Sequence, residues 1–169
     1  MTRTLQTVPE TPEFESVDVG DSLPTRICGP LTVGDMVAWN AAKGAPSWGA
    51  SVINYRERRE NPQTTIVNPR TGWRQKSSHQ HEDWILANQR GMPLPFANGV
   101  HMYAWSTPFV TDWMGADGFL KRHTARLEEP YFYGDTLWFD GEITEKHPDD
   151  RSVDADPRAD TQHNDLALE

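Results

Sequence analysis

The sequence predicts an α+β domain, and three observations carry that reading. Helical patterns with capping residues recur over 33–42, 77–90 and 99–114. In–out alternation suited to a strand appears over 136–144. The chain has 169 residues, enough for one domain with a real core. The apolar fraction is only 36%, but seven tryptophans add large buried areas, so a compact centre with polar ends is expected.

Residues 1–12 are read as a flexible N-terminal arm, and 13–169 as a single domain with an insert at about 45–76. Phe14, Val17 and Val19 suggest a short strand before the turn at Gly20-Asp21, and Arg26 to Leu31 is extended. Thr32-Val33-Gly34-Asp35 has the form of a capping box, with Asp35 at the third helical position. The helix continues through Met36, Val37, Trp39 and Asn40 to Ala42 and stops at Gly44, with Pro46 beyond.

Within the insert, Val52, Ile53 and Tyr55 fit a strand or a helical turn. Arg56-Glu57-Arg58-Arg59-Glu60 reads as a solvated charged face. Thr64 to Val67 is β-like, and Asn68-Pro69-Arg70-Thr71-Gly72 is a turn. Ser77 and Ser78 are read as N-caps of a helix to about Arg90, ended by Gly91-Met92-Pro93.

Asn98 caps the next helix, whose apolar face holds Val100, Tyr103, Ala104, Phe109, Val110 and Trp113. Pro108 within it predicts a kink or an early break. Lys121 to Glu129 reads as a strand. Thr136 to Thr144 reads as another, with Leu137, Phe139 and Ile143 on one side. Two closing strands are expected, one over about 151–159, weakened by Pro157, and one barely started at Leu166. That last strand is expected to be incomplete, either because the chain is cut short or because a partner completes the edge.

The net charge of −9 argues against nucleic acid or an anionic membrane as the main partner, since both require a basic face. A small anionic substrate held by a few local arginines remains compatible with it. Cys28 is the single cysteine, so no intramolecular disulfide forms, which fits the cytoplasm. Its setting at a strand end marks a structural thiol rather than a nucleophile. No apolar run approaches the ~18 residues of a membrane span, and the N-terminus lacks a secretory signal.

One ordered set of motifs resembles a known family. Asp18-Val19-Gly20-Asp21, Gly29-Pro30-Leu31-Thr32, His81-Glu82-Asp83 with Ala87, Gly91-Met92-Pro93, Asn98-Gly99 and Tyr133-Gly134-Asp135-Thr136-Leu137 together resemble the MaoC-like (R)-specific enoyl-CoA hydratase/dehydratase family. The resemblance covers about 14–146 and extends to the tail. It implies a hotdog fold, a long helix wrapped by a curved antiparallel sheet, and pairing into homodimers or heterodimers with a related hotdog subunit. The implied substrate is an enoyl or 3-hydroxyacyl thioester on coenzyme A or an acyl-carrier protein.

In that family a D-x-N-P-x-H segment supplies an Asp and a His that activate water at the β-carbon. Here His81, Asp83 and Ala87 fit H-x-D-x-x-x-A. Lys76 stands where the family has its Asp, and Ser78 and His79 stand where Asn and Pro would be. The family's later His-Gly pair, whose backbone amide polarises the thioester carbonyl, appears as Asn98-Gly99.

The chemistry needs a base for water and a donor for the enolate oxygen. His81, read at a helix start where the dipole favours neutral imidazole, is the candidate base, and Gly99 the oxyanion donor. Its bland alternative is a polar histidine that caps the helix or contacts a strand. Asn98, Glu82 and Asp83 complete the candidate catalytic set, although Asp83 is better placed to stabilise a helix N-terminus. With Lys76 in the acidic position, a partner for His81 must come from His79 or from a carboxylate of the insert.

Arg70 and Arg74, with Arg56, Arg58 and Arg59, are candidates for coenzyme A phosphates, and His79 for substrate contact. Solvated pairing with Glu57 and Glu60 is the competing account of these arginines. His79-x-His81-Glu82 lacks a convincing third ligand, so no metal is expected, and no cofactor either. Two other functions stay open: a non-catalytic hotdog subunit pairing with a catalytic MaoC-like partner, and an acyl thioesterase using Glu82.

Overall fold

A computed structural model describes residues 11–42, 52–163 and 165–169. The start of the arm and the helix stop at Gly44 lie outside these residues. The chain forms two compact units that draw on alternating stretches of sequence. The first contains the described residues up to Cys28, Met102–Glu129 and Thr136–Glu169, and the second Gly29–His101 and Pro130–Asp135.

The first unit is built on an antiparallel sheet in the order β1-β4-β5-β6, from β1 (Arg26–Cys28), β4 (Leu137–His147), β5 (Ser152–Thr161) and β6 (Leu166–Leu168). The expected alternation is real, for Leu137, Phe139 and Ile143 are all essentially inaccessible. Phe139 meets the helix α4 (Gly99–Met114), whose Phe109 ring stacks on it with ring centroids 5.8 Å apart. Ala159, Ala167 and Leu168 extend the same core. Burial of such side chains contributes about 1.5–3 kcal/mol each for the larger ones.

Pro157 does not interrupt β5. It lies opposite Gly141, where an added Cβ would come within 2.8 Å of the Asp156 carbonyl oxygen and 3.0 Å of Pro157 Cα. The missing side chain of Gly141 is what lets the two strands approach here.

Several expectations change. The segment Phe14–Ser16, expected to open a strand, forms a 3-10 turn instead. Only the end of 121–129 pairs. Leu127 bridges Leu168, Arg126 exchanges backbone hydrogen bonds with Glu169, and the Glu128 amide donates to Ala167. The strand β4 runs on past Thr144 to His147. Of the two outcomes expected at Pro108, the early break does not occur: α4 covers its expected span through Pro108 to Met114, with Arg26 Nη1 donating to the Pro108 carbonyl at 3.3 Å and to Asp112. Val100, assigned to the apolar face, is 64% exposed.

The second unit holds α1 (Val33–Ala42), α2 (Val52–Glu60), the hairpin β2 (Thr65–Val67) with β3 (Arg74–Lys76), and α3 (Trp84–Gln89). The capping box of α1 forms as read. Asp35 Oδ2 accepts from the Thr32 amide at 2.8 Å and from its hydroxyl at 2.6 Å, and Thr32 Oγ1 accepts from the Asp35 amide at 3.3 Å. The ambiguous 52–55 stretch is helical and runs on through the charged residues to Glu60. The 68–72 turn closes β2 on β3, with Gly72 at φ +70° and its amide on the Asn68 carbonyl at 2.8 Å. Among the described residues no helix is long and apolar enough to cross a membrane.

Candidate active site

The segment carrying His81 is not one helix. Ser77–His81 is a 3-10 turn, Glu82 leaves helical geometry, and α3 starts at Trp84. The cap is Asp83, not Ser77 or Ser78. Its Oδ1 accepts from the amides of Ile85 at 2.8 Å and Leu86 at 3.2 Å, and its Oδ2 accepts from the buried Asn68 amide at 3.0 Å. The His79 carbonyl takes the amides of both Glu82 and Asp83. This local bonding satisfies a separate short helix and halts the first turn. Gly91 at φ +81° then ends α3, as its sequence signal indicated.

His81 therefore lies at the end of a turn, and the expected N-terminal dipole does not act on it. Its orientation has another cause. Nδ1 stands 2.8 Å from the Phe96 carbonyl oxygen, and the ring meets that of Phe96 edge-on at 4.6 Å. A carbonyl only accepts, so Nδ1 carries the proton and the Nε2 lone pair is the basic one. The backbone is held too, since Tyr133 Oη donates to the His81 carbonyl at 2.5 Å. Burial raises the Tyr133 pKa well above the ordinary tyrosine value, with the Glu82 and Asp35 carboxylates adding to it. The phenol therefore stays a donor.

Asn98 caps α4 as read. Its Oδ1 accepts from the His101 amide at 2.9 Å. Gly99 is the first helical residue, so its N–H has no acceptor inside α4. The Asn98 side-chain amide lies 3.4 Å from Asn40 Oδ1, and Asn40 Nδ2 donates to Glu82. One asparagine thus links the residue after His81 to the residue before Gly99.

Sequence reasoning missed Asn40. A signal existed, because it follows Met36 by one helical turn on the stripe that α1 buries, and a polar residue there needs partners. Phe96 and Tyr133, which hold His81, were also missed. A carbonyl acceptor carries no sequence signal.

Lys76 is largely buried and pairs with Glu57 of α2. The Glu57 carboxylate therefore faces Lys76. Arg70 and Arg74 are exposed on the β2–β3 hairpin, where Arg74 Nη1 donates to Thr65 Oγ1 at 3.0 Å. His79 is half-buried within the 3-10 turn. Trp73 is 70% exposed, and Trp84, 52% exposed, meets Tyr133 edge-on.

No family model matches the sequence, and no curated protein matches it. Solved structures do. A MaoC-like dehydratase aligns over 95% of this chain with TM-score 0.70 and 22% identity, and the chain spans 41% of that protein's length. An unliganded (R)-hydratase, PhaJ1 from Pseudomonas aeruginosa, aligns over 92% of this chain and 79% of its own, with TM-score 0.64 and 18% identity. The ChsH1–ChsH2 complex from Mycobacterium tuberculosis aligns over 89% of this chain and 91% of its own, with TM-score 0.61 and 18% identity. The long helix and antiparallel sheet are those of the hotdog fold.

Proposed function

We propose that this hotdog-fold chain is a hydro-lyase that hydrates an enoyl thioester, or dehydrates a 3-hydroxyacyl thioester, carried on coenzyme A or an acyl-carrier protein. The observation that supports it most is the His81 Nδ1 contact with the Phe96 carbonyl, which leaves Nε2 as the proton acceptor. In the hydration direction, His81 takes a proton from water as the oxygen bonds to the β-carbon. Electron density moves onto the thioester oxygen, where the Gly99 amide at the α4 N-terminus donates. A proton then returns to the α-carbon. Glu82, held by Asn40, is the carboxylate adjacent to His81 in the chain and the candidate to support that proton transfer. Asp83 keeps a capping role. Arg70 and Arg74 are exposed cations suited to the carrier's phosphates.

The test follows loss of enoyl absorbance with crotonyl-CoA and longer enoyl-CoAs. Turnover by the wild type that His81→Ala abolishes supports the reading. No turnover by either protein across chain lengths, with both folded, overturns it.

A second reading has its own observation. Lys76, which the resemblance sets at the position of the motif's acid, pairs with Glu57. That favours a non-catalytic subunit that pairs with a catalytic MaoC-like partner. Mixing the inactive chain with a hotdog hydratase bearing the intact motif, and measuring complex formation and rate, separates the two. A stable, active homodimer counts against the second reading.

A further inference from the structure

The β4–β5 hairpin of the first unit gathers a histidine and two carboxylates that take no part in the chemistry above. We propose that Glu145, His147 and Asp154 form a surface site for a divalent transition-metal ion of the zinc class.

The argument starts from strand register. Up to Ile143, the odd-numbered residues of β4 face the core, and Ile143 pairs with Ala155. The register then shifts, so that Glu145 pairs with Asp154 and Thr144 is the extra residue. Such a bulge re-aims every side chain after it. On β5 the exposed residues are Asp154, Asp156 and Arg158, which mark its outer face. The shift thus brings Glu145 and His147 onto the face of Asp154. It sends Lys146 to the other side, where its Nζ donates to the Val17 carbonyl at 2.5 Å and lies over the Phe14 ring.

The result is two carboxylates directly opposite each other across an antiparallel pair, an arrangement that costs stability when nothing neutralises it. The strand's own cation has been turned away. The nearby Lys121 bonds Asp150 at 2.7 Å. What shares the face is His147, with Nε2 3.4 Å from Asp154 Oδ2 and Nδ1 3.8 Å from Glu145 Oε1. One donor atom from each of the three residues lies within 4.8 Å of the others.

Donors bound at about 2.1 Å around a tetrahedral zinc ion stand about 3.4 Å apart, so small side-chain rotations suffice to close the set. One imidazole nitrogen with two carboxylate oxygens suits zinc and its first-row neighbours and leaves a position for water. All three ligands come from one continuous hairpin, so little ordering is required on binding.

The test is calorimetric titration of the full chain with zinc chloride at slightly alkaline pH, for the wild type, His147→Gln and Asp154→Asn. The expected result is one saturable equivalent in the wild type, weakened at least about tenfold by either substitution, with unchanged circular dichroism. Absence of saturable binding in the wild type overturns the proposal, as does equal binding by folded variants. Should a variant fail to fold, the His147 ring resonances of the wild type decide. A shift on zinc addition supports the site, and its absence overturns it.

Discussion

Two helix starts in the second unit make an instructive pair. Asp83 opens α3 and Asn98 opens α4, and in both a side-chain oxygen accepts a backbone amide. Asn98 uses one amide oxygen for the cap and has a donor left that lies near Asn40. Asp83 has both carboxylate oxygens engaged, by two amides and by Asn68. The difference teaches which polar residues remain available for chemistry. A carboxylate saturated by structural donors is a poor base, whereas a neutral cap beside a glycine leaves that glycine's amide pointing out of the helix.

The largest expected effect falls on activity. His81→Ala should reduce hydratase turnover about 10²–10⁴-fold, measured as initial rate against enoyl concentration, while the denaturant midpoint stays near wild type. Next comes Asp83→Ala, which removes the α3 cap and an acceptor for buried Asn68. It should cost about 2 kcal/mol in denaturant unfolding. Asn98→Ala should cost about 1 kcal/mol, and Asn98→Asp, which still caps, should cost less. If Asp83→Ala lowers turnover as much as His81→Ala while the protein stays folded, the structural account of Asp83 fails.

The smallest effect is a pH dependence. Tyr133 has a raised folded-state pKa because burial disfavours the phenolate, helped by the nearby carboxylates. A raised folded value means its contribution to stability is complete below the ordinary tyrosine pKa. It is lost as pH rises through the folded value. Phenolate absorbance followed during alkaline titration should lose a late-ionising component in Tyr133→Phe.

Local signals were readable where the chain satisfies itself. The Thr32–Asp35 box, the Asn98 cap, the Gly91 stop and the buried row of Leu137, Phe139 and Ile143 all follow from neighbours in sequence. The overturned elements depend on distant ones. Lys121 to Glu129 has strand-like residues, but pairing is decided by how much of β6 lies alongside, and only 126–128 finds it. Ser77 and Ser78 are good caps, yet Asp83 wins because it satisfies two amides and a buried asparagine together. In the candidate site, the motif offers His81, Asn98 and Gly99 as candidates. Their supports, Asn40, Phe96 and Tyr133, come from sequence-distant segments and were not legible as such.

The contact between Lys76 and Glu57 bears on how this protein can change. A single replacement of Lys76 by aspartate would restore the acid of the resembled motif but set it against Glu57, two negative charges in a half-buried place. A graft of the family segment alone is thus expected to fail. Exchange of the segment together with α2 would remove that repulsion, so a change at Lys76 is tied to a change at Glu57.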